Sequence, residues 1–442
     1  MLVLHGGVPG VRRISLQEGL AGCGNEGRRG SLAIVTSLPC SEAMELNFGN
    51  SAVLLLLIAS VVAMVTRRLR LPYSVGLVAA GMGLALLPFS PKMSLTRELL
   101  FTGLLPPLIF EAAFHLRWKE LRRDLPVILV LATVGVLVSA GITMVGMHFL
   151  ARWQWVSALV FGVLIAATDP VSVIAAFREA SVLGRLRLLV EAESLFNDGT
   201  AAVAFGIVVV LASGEHLGAL DITRTVLVTA GGGILCGALV GNLVLFLIGR
   251  TQDPLVETTC TTIAAYGSFL LADSLHASGV LATLTAGLVL GNLGTLGPIS
   301  ERGREIVQAF WEYAAFVANS IVFLLIGMHE ASRNFAVALL PAIVAVLLVT
   351  VGRAAAVYPI CQIFSRSRFR VSATHQHVLF WGGLRGALAL ALVLGLPDEV
   401  PQRAEIISVS FAVVAFSIFV QGLTITPLLR ALGEIPARDR KS

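Results

Sequence analysis

From Ser51 to Leu429 the chain alternates long apolar runs with short charged loops. Thirteen runs fall at about 51–66, 71–88, 99–116, 125–150, 156–177, 189–213, 222–249, 256–274, 276–293, 308–329, 334–364, 374–397 and 404–429. Most approach the roughly 20 residues that a helix needs to cross a hydrocarbon core. The pattern predicts an all-α polytopic membrane protein with about 13 transmembrane helices.

Basic residues in the loops set the orientation. If the first run passes from outside to inside, the inner loops and the tail carry Arg67, Arg68, Arg70, Arg117, Lys119, Arg122, Arg123, Arg178, Arg185, Arg187, Arg250, Arg302, Arg304, Arg366, Arg368, Arg370, Arg430, Arg438, Arg440 and Lys441. The outer loops carry Lys92, Arg97, Arg152, Arg224, Arg333 and Arg403. A bias of twenty to six places the C-terminus in the cytoplasm. An odd number of crossings puts the two ends on opposite faces. It also suits six plus one plus six, with 222–249 as a linker helix between halves that are inverted relative to each other, an arrangement common among secondary transporters.

Residues 1–43 contain Gly, Arg and Ser without a long apolar run, and the hydrophobic region of a signal peptide is missing. They are expected to be a disordered extension or a mis-assigned start, with translation beginning at Met44. Residues 44–430 then form the transmembrane domain and 431–442 a short cytoplasmic tail.

Composition narrows the class. Of 442 residues, 56% are hydrophobic and 13% charged, and the mean hydropathy is +0.86, which excludes a soluble domain. The pI near 9.2 follows from the loop arginines and does not point to nucleic acid. Five cysteines, Cys23, Cys40, Cys236, Cys260 and Cys361, are scattered and odd in number, so neither a disulfide framework nor a metal cluster is expected. No cofactor is implied.

Two runs are interrupted at membrane depth. Thr168-Asp169-Pro170 breaks the fifth, and Gly382-Gly383-Leu384-Arg385-Gly386 breaks the twelfth. Proline lacks a backbone donor and clashes one turn back, while glycines loosen a helix. Broken helices at matching positions of two halves point to an ion site near the bilayer midplane, where freed carbonyls and half-helix ends meet the ion.

The stretch Glu191 to Thr200 adds the chemistry, because it sets three carboxylates and an amide in an otherwise apolar run. On a helix Ser194 and Asp198 share one face, and Glu193 and Asn197 share another. A charge at this depth costs about 2.5–3.5 kcal/mol on insertion scales, which makes function its default reading. Four acids lie at membrane depth, Glu111, Asp169, Glu193 and Asp198, against two bases, Arg353 and Arg385. Glu193 paired with Arg353 or Arg385 would be compensated and structural. Asp198 would then need a movable partner, a proton or a small cation. Oxygen ligands from Asp198, Ser194, Glu111 and the carbonyl near Thr168 suit a hard monovalent ion such as sodium or lithium. Competition of both ions for one carboxylate is itself an exchange mechanism.

Four motifs carry a resemblance over about residues 45–430: Thr168-Asp169-Pro170-Val171, Glu193-Ser194-Leu195-Phe196-Asn197-Asp198, Asn319 to Gly327, and Gly382-Gly383-Leu384-Arg385-Gly386-Ala387. Together they resemble the NhaP/NHE branch of the sodium/proton antiporters, the CPA1 family. The resemblance implies an NhaA-like fold with two crossed broken helices, a homodimer in the cell (inner) membrane of a bacterium, and a six-helix core domain that moves like an elevator. It implies that Asp198 binds the ion and the proton, with Ser194, Thr168 and Glu111 contributing. Asn197, Asp169 and Pro170 would support the crossing, and Glu193 would pair with a membrane arginine. Asn-Asp rather than Asp-Asp at 197–198 implies electroneutral one-for-one exchange. A long regulatory tail, found in larger members, is not expected.

Other readings remain open on sequence. Potassium could replace sodium, and a passive cation channel also uses broken helices and buried acids. An intramembrane enzyme would need a nucleophile with a base, and Ser194 has no histidine in its segment.

Overall fold

The computed structural model describes residues 40–69, 71–86, 96–179, 182, 184–214, 218–331 and 339–435. Contacts divide the chain into Met1–Leu46 and Asn47–Ser442. Of the first unit only residues 40–46 are described, and they are helical. The expected extension, 1–43, therefore lies almost wholly outside the described residues, as does 436–442 of the tail.

Helices α1 (Cys40–Leu69), α2 (Tyr73–Ala85), α3 (Leu105–His115), α4 (Trp118–Val130), α5 (Val136–Leu150), α6 (Trp155–Leu164), α7 (Val171–Glu179) and α8 (Arg185–Ala212) form the first part of the chain. The second part contains α9 (Ala219–Ile248), α10 (Pro254–Ser274), α11 (Gly279–Leu293), α12 (Glu301–Ala331), α13 (Leu339–Ile363), α14 (Ala373–Trp381), α15 (Ala387–Leu394), α16 (Arg403–Phe416) and α17 (Gly422–Ala431). A π-helical turn at Leu131–Gly135 joins α4 to α5, and another at Ser417–Gln421 joins α16 to α17. Among the described residues, nine helices are long and apolar enough to cross a membrane, and Tyr73–Ala85, Leu99–His115 and Trp155–Leu164 are shorter apolar ones.

Several helices begin earlier than hydropathy predicts. The run expected from 125 starts at Trp118, and the one expected from 308 starts at Glu301. The added turns are charged, because a helix continues into the headgroup zone after its apolar stretch ends. In α4 the added turns keep Leu121 and Asp124 buried.

The largest apolar core draws on α5, α6, α7, α8, α13, α15 and α16, with Phe161, Phe177 and Phe411 fully buried. A second core around Phe110, Phe114, Ile248, Leu290 and Trp311 binds α3, α9, α10, α11 and α12. Helix α2 packs closely along α12. A Cβ at Gly81 would collide with the carbonyl of Leu324, and one at Gly327 with that of Val78. Small residues allow this approach, which in lipid replaces the missing hydrophobic drive between helices. Large side chains such as Leu57, Leu235, Leu239 and Leu347 point outward, as expected for a surface facing acyl chains.

Candidate functional site

Both interrupted runs are broken where the sequence places the breaks. Helix α6 ends at Leu164 and α7 starts at Val171; α14 ends at Trp381 and α15 starts at Ala387. Residues 167–170 and 383–386 between them are unwound. Pro170 cannot donate and disfavours the helical conformation for Asp169. The two unwound stretches meet: the Asp169 N–H donates to the Leu384 carbonyl over 2.7 Å.

One acid and one base compensate this crossing. The Asp169 carboxylate accepts the Val171 amide through Oδ1 (3.0 Å) and the Ala387 amide through Oδ2 (3.4 Å). It thus lies across the positive N-terminal ends of both half-helices, where a negative charge is stabilised. Arg385 does the opposite. Its guanidinium donates to the Ala166 and Ala167 carbonyls (2.9 and 3.1 Å) just past the end of α6. Its backbone N–H donates to Ser417 Oγ (2.9 Å), and Ser417 in turn donates to Gln421 (2.6 Å). Glycine is required at 386, because a Cβ there would enter the Asp169 carboxylate.

Helix α8 lays its polar edges against the crossing. Ser194 Oγ donates to the Thr168 carbonyl (2.5 Å) and stands 3.4 Å from Thr168 Oγ1. Asn197 Nδ2 donates to Thr168 Oγ1 (3.0 Å) and to the Ala166 carbonyl (3.3 Å). One helical position around, Glu193 forms a bidentate pair with Arg353, at 2.7 and 2.8 Å. Both side chains are more than nine-tenths buried. Arg353 also donates to the Leu379 carbonyl. Of the two arginines open on sequence, Arg353 is the one paired with Glu193. Arg385, placed in the same ion-pair group on sequence, binds carbonyls instead.

Asp198 stands apart from this compensation. Its Oδ1 is buried and has no hydrogen-bond partner among the described residues. It lines a cavity of about 270 Å³ together with Glu111, Thr168, Asp169, Pro170 and Ser194. The cavity extends past His115, Arg187 and Glu191, towards the end of the bundle that carries Arg117 and Arg185. Glu111 lies beside His115, 3.5 Å from its Nδ1. Glu191 accepts from Arg187 over 2.8 Å.

Residues 53–431 match the family described as sodium/hydrogen exchanger, transmembrane. The chain belongs to that family. Among relatives of this exchanger, the Na(+)/H(+) antiporter ApNhaP of Aphanothece halophytica is 39% identical over 374 residues, covering 84% of this chain and 72% of its own. The Na(+)/H(+) antiporter NhaP of Pseudomonas aeruginosa is 36% identical over 352 residues, with 76% and 81% covered. In fold the exchanger is similar to the sodium proton antiporter MjNhaP1 from Methanocaldococcus jannaschii, with a TM-score of 0.69 at 21% identity over 88% of this chain and 99% of that one.

Sequence reading gave Asn319 only as the start of a motif and left part of the exchanger's cavity wall unassigned. Tyr73, Phe316, Asn319 and Glu312 also line it. Tyr73 stacks on Phe316 and shares a hydrogen bond with Ser320 (2.7 Å). Glu312 and Asn319 are seven apart, and Phe316 lies between them at four and three, so a helical-face count along α12 would have found them.

Proposed function

We propose that this chain is a secondary antiporter that exchanges one Na+ (or Li+) for one H+ across the membrane, with Asp198 as the carboxylate that both ions share. The observation that carries this reading is the contrast between Asp198 and its neighbours. Asp169 accepts two helix-terminal amides, Glu193 holds Arg353, and Arg385 holds two carbonyls. Asp198 Oδ1 has no hydrogen-bond partner among the described residues, and Asp198 lines a cavity.

Charge counting gives the stoichiometry. Within the crossing itself, Asp169, Glu193 and Asp198 face Arg353 and Arg385, so it carries one net negative charge when Asp198 is ionised; the fourth acid, Glu111, lies outside it beside His115. One proton or one monovalent cation brings it to zero. A charge in a moving membrane core costs several kcal/mol, so the core reorients when neutralised and stays in place when not. Asn197 donates to two oxygens of the unwound stretch and offers no second titratable group. Each cycle then returns one ion for the other without net charge.

The donor set for the cation is Asp198, Ser194, Thr168 and Glu111, all hard oxygens lining the cavity. By the arginine bias the end of the cavity lined by His115 and Arg187 faces the cytoplasm, as does the C-terminus. The family resemblance supports a homodimer in a bacterial inner membrane, and a role in sodium and pH homeostasis.

Proteoliposomes carrying a pH gradient test the class. Sodium or lithium should collapse the gradient equally with the membrane potential clamped or free. Proton movement without an exchanging ion would mean a channel, and collapse by potassium alone would keep the mechanism but change the substrate.

A further inference from the structure

Away from the crossing, at the arginine-rich end of the bundle, α4, the start of α8 and the loop before α14 enclose a groove of about 870 Å³. Four arginines line it, Arg122, Arg123, Arg185 and Arg368, against two acids, Glu120 and Asp124. Both acids are already engaged. Asp124 is held by Arg185 through contacts of 2.7 to 3.1 Å, and Glu120 lies 3.7 Å from Arg117. Arg185 is fixed further by donating to the carbonyls of Arg370 (2.7 Å) and Phe369 (3.1 Å). Arg368 stacks on Phe369 at 4.7 Å. Arg122 and Arg123 are exposed and have no ion pair among the described residues.

The groove therefore keeps an excess of positive charge on a fixed frame, with Leu188 as an apolar wall. Its position matches the headgroup layer. Helix α4 enters there with Trp118 about half exposed, as interfacial tryptophans are, and its charged first turns give way to an apolar run from Leu125. Planar guanidiniums in a fork geometry match phosphate oxygens. We infer that this groove is a binding site for the headgroup of an anionic phospholipid. Its occupant would bridge α4, the start of the helix that bears Asp198, and the loop leading into the second broken helix.

The test uses the full chain purified in neutral detergent and titrated with short-chain phosphatidylglycerol, phosphatidylcholine or soluble glycerol phosphate, reading the rise in thermal unfolding midpoint. The native protein is compared with Arg122→Gln/Arg123→Gln/Arg368→Gln and with a control of equal charge loss, Arg67→Gln/Arg68→Gln/Arg302→Gln. Phosphatidylglycerol should raise the midpoint where phosphatidylcholine does not. The groove variant should need about 100-fold more lipid for half the effect, from about 1 kcal/mol per arginine and tenfold per about 1.4 kcal/mol; the control variant should behave like the native protein. Equal loss in both variants, or no rise in the native protein, would overturn the site. An equal rise with glycerol phosphate alone would overturn the lipid and leave a soluble phosphate as the occupant. Unfolding is read rather than transport, so the outcome is independent of the exchange reaction.

Discussion

Asp169 donates its backbone N–H to the carbonyl of Leu384 across 2.7 Å, joining the breaks of two helices more than two hundred residues apart in sequence. The same residue's carboxylate accepts the first amides of both following half-helices. A single side chain thus sets the geometry of the crossing on which Thr168, Ser194 and Asn197 depend.

Removing that carboxylate should loosen both half-helices at once. Asp169→Ala is expected to lower stability by about 2 kcal/mol, at about 1 kcal/mol for each lost cap, and to reduce exchange. Asp169→Asn retains one acceptor oxygen and should lose less. Gly386→Ala, whose new methyl group enters the Asp169 carboxylate, should reduce exchange with helical content unchanged. Unfolding midpoints in detergent and transport rates in vesicles check the three together.

Breaking the Glu193–Arg353 pair should be costly in stability, because either single change leaves a buried charge alone. Glu193→Leu or Arg353→Leu is expected to cost about 3–5 kcal/mol, and the double variant less than either, since paired burial itself contributes little net stability. Chemical denaturation of all three checks this. Additive losses would mean that the two residues act separately.

A carboxylate shared by proton and cation makes sodium affinity depend on pH, because binding the metal requires the deprotonated form. As pH falls, the sodium concentration giving half the maximal rate should rise by up to about tenfold per unit, with a smaller change in the maximal rate. Initial rates over a grid of pH and sodium give the answer. Affinity that is flat across pH would separate the two ions' sites.

Much of this was legible in the sequence because lipid makes the signals strong. Apolar runs located the helices, and Pro170 with Gly382, Gly383 and Gly386 located the breaks. Charge at depth singled out Glu193 and Asp198. Helix starts at Trp118 and Glu301 were hidden, since charged turns in the headgroup zone read as loops. The choice of Arg353 over Arg385 for Glu193 was also hidden, because both lie at suitable depth and only the crossing decides which guanidinium meets carbonyls and which meets the acid. Asn319 was legible only as the start of a motif, and Glu312 was passed over because one acid near the start of an apolar run looks unremarkable until α12 is turned to face the cavity.

Asp198→Asn measures the central claim most directly. Native protein and variant are reconstituted into vesicles with a pH gradient, sodium is added, and proton flux is followed with the membrane potential clamped and free. Sodium-driven proton flux that ignores the potential in the native protein and disappears in Asp198→Asn is the expected result. Flux that survives in a folded variant would contradict Asp198 as the shared site.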